Sequence, residues 1–232
     1  MAAPLSIVIP TYDAVHRLGP CLAALTEALG EGLINELIIA DGGSRDDIST
    51  LADAVGAKLV LAPRGRGNQL AAGAQAARGE WYLFLHADTV LSPGWSAVVA
   101  QHIAGHPDRA GWFQLRFDTA GFWPWLVARW ANLRARRLGL PYGDQGLLIS
   151  KALYSAKGGY RQIALMEDVA MARALKGRLR PLPATATTSA ERYIAEGWLR
   201  RGLRNHAVML RYVLGASPDR LAARYDRGVR RG

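Results

Sequence analysis

Four short apolar runs in the N-terminal half of this chain each end on polar residues equipped for chemistry. Thr11, Tyr12 and Asp13 follow LSIVIP; Asp41 closes ELIIAD; Arg64 and Arg66 follow KLVLA; and Asp88 stands two positions past WYLFLH. A carboxylate at the end of a rigid apolar strand suits a hard divalent cation. Guanidinium groups separated by glycine suit phosphate oxygens, because glycine lets backbone approach closely. Further along, Glu167 and Asp168 form an acidic pair at the start of a helical pattern. Either could take a proton from a hydroxyl, although the helix macrodipole favours acids at that place anyway. Asp46 and Asp47 fit the second reading, as first-turn residues of a helix.

These residues act together only if the chain delivers them to one place. Leu5–Pro10, Glu36–Asp41, Lys58–Ala62 and Trp81–His86 read as buried strands. Helical patterns lie between and after them, at Val15–Leu29, at Asp46–Val55 with Ser44 as N-cap, at Gly67–Ala77, and beyond Pro93-Gly94. Short apolar strands alternating with helices predict a parallel sheet covered on both faces. Right-handed crossovers then put the C-terminal ends of the strands on one edge, where ligands bind in open α/β sheets. Beyond about residue 110 the alternation loosens. Trp112–Phe117 alternates like a half-exposed strand, and Phe122–Leu138 reads as an aromatic, basic helix with Pro124 in its first turn. Gly146–Ser150 reads as a strand, and Glu167–Lys176 and Glu196–Leu214 read as helices. No internal repeat or low-complexity segment is visible.

In combination, SIVIPTYD, IIADGGS and GRGNQLAAGAQAARGEWYLFLHADT resemble the nucleotide-binding half of family 2 glycosyltransferases of bacterial type. The downstream YGDQG and LMEDVAMARAL resemble that family's acceptor-side segments, so the likeness runs in order over residues 5–180. It implies an α/β GT-A nucleotide-diphospho-sugar transferase fold, with a mostly parallel central sheet and helices on both faces. It also implies an inverting transfer from a nucleotide-diphosphate sugar to a hydroxyl acceptor, assisted by a divalent metal (Mn or Mg). Breaking a sugar–diphosphate bond develops negative charge on the leaving phosphate, which such a cation neutralises.

Carried over residue by residue, Asp88 is the metal ligand. Pro10, Thr11 and Tyr12 floor the base and ribose, and Asp41 reads the nucleobase edge. Arg64, Gly67 and Ala87 lie with Asp88 along the donor, and Arg66 joins Arg64 where diphosphate charge would be. Asp168 is the base and Glu167 its neighbour or substitute. Gly143, Asp144 and Gln145 face the acceptor, with Asp144 and Gln145 bonding sugar hydroxyls or organising the base. Two positions depart from the family pattern. His86 replaces the first carboxylate of the usual Asp-x-Asp and could bond ribose or phosphate, or face the core; Ala14 stands where Glu is frequent.

Bulk properties bound the remainder. The chain has 232 residues, half of them hydrophobic and 21% charged, which predicts a globular protein. A single domain over 1–232 is expected, with a nucleotide-sugar half to about 110, an acceptor half to about 185 and a basic helical segment after it. Cys21 is the one cysteine, so no intrachain disulfide forms, which fits a cytoplasmic location. The leading apolar run is too short for a signal peptide, and no stretch is long enough to span a membrane. Residues 1–172 carry 15 basic and 15 acidic residues, whereas residues 173–232 carry 14 and 4, so the last part holds the whole net charge of +10.

That basic region, with Trp123, Trp125 and Trp130 leading to Arg134, Arg136 and Arg137, has the composition of a peripheral membrane helix. It would face a lipid-linked acceptor at the inner face of the cytoplasmic membrane. The same tryptophans would also serve as core beneath the acceptor site or as a homodimer contact. No nucleic-acid partner is expected, because no binding module accompanies the charge. Two other functions compete: a noncatalytic nucleotide-sugar-binding protein of the same fold, and an NAD-dependent oxidoreductase. The latter is suggested by the spacing of Gly65, Gly67 and Ala71, but two strand–helix units precede that motif, and such a fingerprint normally opens its domain.

Overall fold

The computed structural model describes residues 3–222. The nucleotide-side elements are β1 (Leu5–Thr11), α1 (Val15–Leu25), β2 (Ile34–Asp41), α2 (Ile48–Ala54), β3 (Lys58–Leu61), α3 (Arg66–Ala76) and β4 (Trp81–Phe84). They continue into β5 (Thr89–Leu91), α4 (Trp95–Gly105), β6 (Ala110–Phe117), α5 (Phe122–Leu138), β7 (Leu147–Ser150) and α6 (Lys151–Ala156). The described part closes with α7 (Glu167–Ala174), β8 (Leu179–Thr188), α8 (Glu191–Glu196) and α9 (Trp198–Val213). One eight-stranded sheet runs in the order β3-β2-β1-β4-β7-β6-β8-β5.

β3, β2, β1 and β4 pair in parallel, with Thr11 opposite Asp41 and Asp41 opposite Leu61. β1 is apolar on both faces because both are covered. Ile7 and Ile9 pack with Leu18 of α1 and Trp95 and Val99 of α4. Val8 packs on the other side, with Leu70 and Ala74 of α3 and Met171 of α7. The close approach of α3 depends on Gly73, where any side chain would collide with Val8. The C-terminal ends of these strands therefore share an edge, as the alternation predicts.

Across β4 the sheet becomes mixed: β7 runs antiparallel to β4 and β6, β8 runs parallel to β6, and β5 antiparallel to β8. Several expectations need correction. β8 has no counterpart in the sequence reading, because Pro181 and Pro183 break its strand signal. Nevertheless Leu182, Ala184, Ala186 and Thr188 alternate inward along it. β5 and α6 are likewise additions. The strand expected to be half exposed is mostly buried: Trp112 and Phe113 are both inside, because β7 and β8 flank β6. Ser44 is not an N-cap; α2 begins at Ile48 after Asp47, and the Ser44 hydroxyl is used elsewhere. The first helix ends at Leu25 and passes into a 3-10 turn, Thr26–Ala28.

Candidate functional site

The ends of β1 and β2 form one hydrogen-bonded knot. The Asp41 carboxylate is almost wholly buried and accepts from the Thr11 hydroxyl at 3.0 Å, the Gly43 amide at 2.9 Å, and both the amide (2.8 Å) and hydroxyl of Ser44. Burial pushes its pKa up, but these donors outweigh it and hold the group ionised below its ordinary value. Asp13, in the left-handed region at φ 48°, accepts from the Arg45 amide at 2.8 Å while its own amide donates to the Ser44 hydroxyl. The two loops thus brace each other. Gln69, buried on α3, donates its amide to the carbonyls of Thr11 and Ala40, fixing both strand ends from below. Tyr12 lies half-buried above, with the exposed Arg64 guanidinium 4.1 Å from its ring centre.

The end of β4 meets α3 and α7. Arg66, in the first turn of α3, donates to Glu167 in a tight ion pair and to His86 Nε2 at 3.2 Å. Glu167 is 1% exposed, so burial raises its pKa while Arg66 pulls it back. Burial, together with the Arg66 and Arg192 charges, holds His86 well below the usual histidine range. It is therefore neutral, with Nε2 accepting and the proton assigned to Nδ1. Met166 precedes the acidic pair at φ 70°, an uncommon conformation for a non-glycine residue that turns the chain into α7. Asp168 accepts from its neighbour Val169 at 2.7 Å and, through Oδ2, from the Gly143 amide at 3.0 Å.

Gly143 opens the 3-10 turn Gly143–Gln145, which faces α7. Asp144 is charged only above about pH 6: burial pushes its pKa up to about 6, Arg134 resists, and Asp168 and Asp88 add to the rise. Its Oδ1 is buried without a hydrogen-bond partner. Arg134, buried in the middle of α5, lies 3.4 Å over the Tyr142 ring and donates to the Leu140 carbonyl at 2.9 Å.

The model of the family described as "Glycosyl transferase family 2" matches residues 6–156 of this sequence. The chain belongs to glycosyltransferase family 2. Staphylococcus aureus TarS, solved in complex with UDP-GlcNAc, superimposes with a TM-score of 0.64 at 15% identity, over 80% of this chain and 58% of that one. Glucosyl-3-phosphoglycerate synthase from Mycobacterium tuberculosis, solved with Mn2+, UDP and glucosyl-3-phosphoglycerate, gives 0.55 at 18% identity, over 80% and 70%. These likenesses show the GT-A fold. The same enzyme from Mycolicibacterium paratuberculosis is 30% identical over 95 residues, which make 37% of this chain and 29% of that protein. The chain thus spans under a third of that curated relative.

Several of the expected site residues come together, but others have neighbours that the sequence did not suggest. Asp144 lies within electrostatic reach of Asp88, Asp168 and Arg66, and Arg66 is within reach of Asp168 as well. Gly67, expected along the donor, instead faces the backbone of Arg161 and Ile163, and a side chain there would collide with both. It serves the approach of the segment leading to Glu167. Gln145, expected at the acceptor, is fully buried. Its amide donates to Asn132 at 3.1 Å and accepts from the Tyr142 amide at 3.3 Å, so no group is left for a sugar. Arg66 is committed to Glu167 and His86, whereas the exposed Arg64 lies over the Tyr12 ring. Gln69, Tyr142 and Arg192 carry no signal of their own in the sequence, since nothing in their spacing distinguishes them from ordinary helix and turn residues; Arg134, expected to face a membrane with Arg136 and Arg137, is instead buried against Tyr142.

A divalent cation fits this edge as an open site. Among the described residues no cluster of three or more His, Cys, Asp or Glu side chains could hold a metal by itself. Magnesium and manganese in phosphate chemistry need only one or two carboxylates, with substrate oxygens and water completing the shell. Half-buried Asp88 and the orphaned Oδ1 of Asp144 supply donors of the right kind.

Proposed function

We propose that this chain transfers a sugar from a nucleotide-diphosphate sugar to an acceptor hydroxyl with inversion, using Asp168 as the base. The observation that carries the reading is the convergence of Asp88 and Asp168 on Asp144, beside the ion pair of Arg66 with the buried Glu167, at the edge where the parallel strands end. TarS and the mycobacterial synthase are solved with UDP-GlcNAc and UDP, which makes a UDP-sugar the first donor to test.

Each residue has a separate task. The braced β1–β2 loops, with Tyr12 above Asp41, receive the base and ribose. Since four donors already fill the Asp41 carboxylate, a nucleobase N–H would reach it by displacing one of the two hydroxyls, that of Thr11 or of Ser44. Asp88 would hold a divalent cation against the diphosphate; when bound, that ion supplies charge neutralisation on the leaving group. Asp168 takes the acceptor proton as the acceptor oxygen bonds to the anomeric carbon and the bond to the diphosphate breaks. Two backbone amides fix the Asp168 carboxylate, one from Gly143 on the acceptor side. Glu167, locked to Arg66, positions α7 and takes no proton from substrate.

The test is hydrolysis and transfer with a panel of UDP-sugars, with and without manganese. Asp88→Ala should abolish turnover and weaken UDP binding in manganese. Full activity in a chelator would remove the cation from this scheme. Binding without turnover on any acceptor would instead support a noncatalytic nucleotide-sugar-binding protein.

A further inference from the structure

Most of the large apolar side chains exposed among the described residues lie on α5, α8 and α9. On α9 and its cap, Leu199, Leu203, Leu210 and Leu214 are 57%, 70%, 55% and 77% exposed. At about 100° per residue they fall in a stripe about 60° wide, the pattern of a helix that buries one face. Nothing among the described residues covers it. Phe122, Trp125 and Trp130 are exposed on α5, which α9 joins through a hydrogen bond from the Trp130 indole to His206.

Between the two helices lies a cleft of about 340 Å³. Leu199, Leu203 and Trp130 line it along the exposed stripe; Tyr142 and Asp144 line it on the side of the reactive edge. Asp144, whose Oδ1 is buried without a partner, is part of that wall. The surface stripe and the carboxylates are thus joined by one apolar passage.

The charge identifies the occupant. α5 and α9 contain four arginines each and no acidic residue. Arg201 and Arg204 pair with Glu196 and Arg134 is buried, which leaves Arg129, Arg136, Arg137, Arg200 and Arg211 exposed. Arg200 and Arg211 lie along one flank of the leucine stripe. A second copy seated on this face would oppose these exposed arginines to one another, and α5 and α9 carry no acidic residue to separate them. An anionic lipid surface meets both the leucines and the arginines.

We propose that the α5–α9 face rests on an anionic bilayer, and that the cleft admits the apolar chain of an acceptor alcohol held in that bilayer. The acceptor clause rests on the transferase reading; the docking clause does not.

The experiment is co-sedimentation of the full chain with phosphatidylcholine vesicles, with and without phosphatidylglycerol, at low and physiological salt. Binding to the anionic vesicles, weaker in salt and accompanied by a blue shift of tryptophan emission, is expected. Leu210→Glu/Leu214→Glu, two exposed positions outside the cleft, should weaken it at least tenfold while UDP-sugar hydrolysis continues at the parent rate. A protein that stays in the supernatant at every lipid concentration overturns the proposal, as does a solution dimer that this double variant dissociates. Vesicle binding needs no turnover, so a chain that binds lipid yet uses no nucleotide sugar would fail the transferase reading and the acceptor clause, while the docking stands.

Discussion

Asp144 and Asp168 are neighbouring carboxylates in different surroundings, and pairs of this kind divide acid–base labour. Asp168 is held by two amides; Asp144 is half-buried near two other acids. Asp168→Asn keeps the shape and removes the basicity, so kcat should fall roughly 10²–10⁴-fold with donor affinity nearly unchanged. Wild-type kcat in that variant would rule Asp168 out. For Asp144, the folded-state pKa of about 6 lies above the unfolded carboxylate value. The native state therefore holds its proton longer than the unfolded chain does. Its ionisation costs nothing well below about pH 4, and the cost is complete above about pH 6. Asp144→Asn should raise stability at pH 7.5 by up to about 3 kcal/mol and flatten the loss of stability as pH rises from about 4 to 6. Thermal unfolding across that range measures both; an unchanged profile would show that Asp144 is already solvated.

Elements meet at this site through glycines whose missing side chains make room. A side chain on Gly143 would come within 2.5 Å of His86 Nε2, and the Gly143 amide is a donor to Asp168. Gly143→Ala should push the 3-10 turn away from β4 and loosen Asp168 along with it. Such overpacking typically costs about 1–3 kcal/mol. The expected result is a modest fall in Tm and a larger fall in kcat, with UDP binding retained, because the β1–β2 knot is untouched. Equal losses in UDP binding and kcat would mean that the turn supports the donor loops too. Gly67 plays the same part between α3 and the segment before α7, so its chemistry is that of packing. Polar contacts follow the same logic: Gln69 reaches two strand ends from one helix because α3 lies against both.

At the scale of the molecule, the Arg66–Glu167 pair joins the parallel half of the sheet to the acceptor side. Glu167 is wholly buried, and an unpaired buried carboxylate is costly, whereas a buried pair replaced by apolar groups of similar size is often neutral. Arg66 is 38% exposed, so solvent screens the pair in part, and Arg66→Met should destabilise the protein by roughly 1–3 kcal/mol. Adding Glu167→Gln should recover much of that loss, so the two changes are far from additive. Denaturant unfolding of the four proteins in this cycle checks it, and strict additivity would show that the pair contributes nothing as a pair. A second tie, between Arg17 and Glu191 at 2.8 Å, links α1 to α8, the short helix carrying Arg192 toward His86.

The sequence by itself determined the parallel strands, the edge on which they end, and the carboxylates placed there. Those follow from local rules: an apolar run covered on both faces, a polar residue after it, and a motif order that resembles one family. LSIVIP and Asp88 needed no neighbours to be legible. Only the tertiary structure decided which polar groups are spent on one another. Asp41 is filled by four donors from three residues, Gln145 is spent on Asn132 of α5, the Phe113 carbonyl of β6 and the Tyr142 amide, and Arg66 belongs to Glu167, about a hundred positions away in the chain. β8, hidden by its prolines, exists because β6 and β5 offer it partners. The tryptophans of α5 could be core, dimer contact or membrane face by composition; packing leaves Trp125 and Trp130 at the surface beside the leucines of α9. Burial and pairing depend on residues far apart in sequence, so local pattern sets the positions of the charged groups, and only the folded arrangement sets their partners and pKa values.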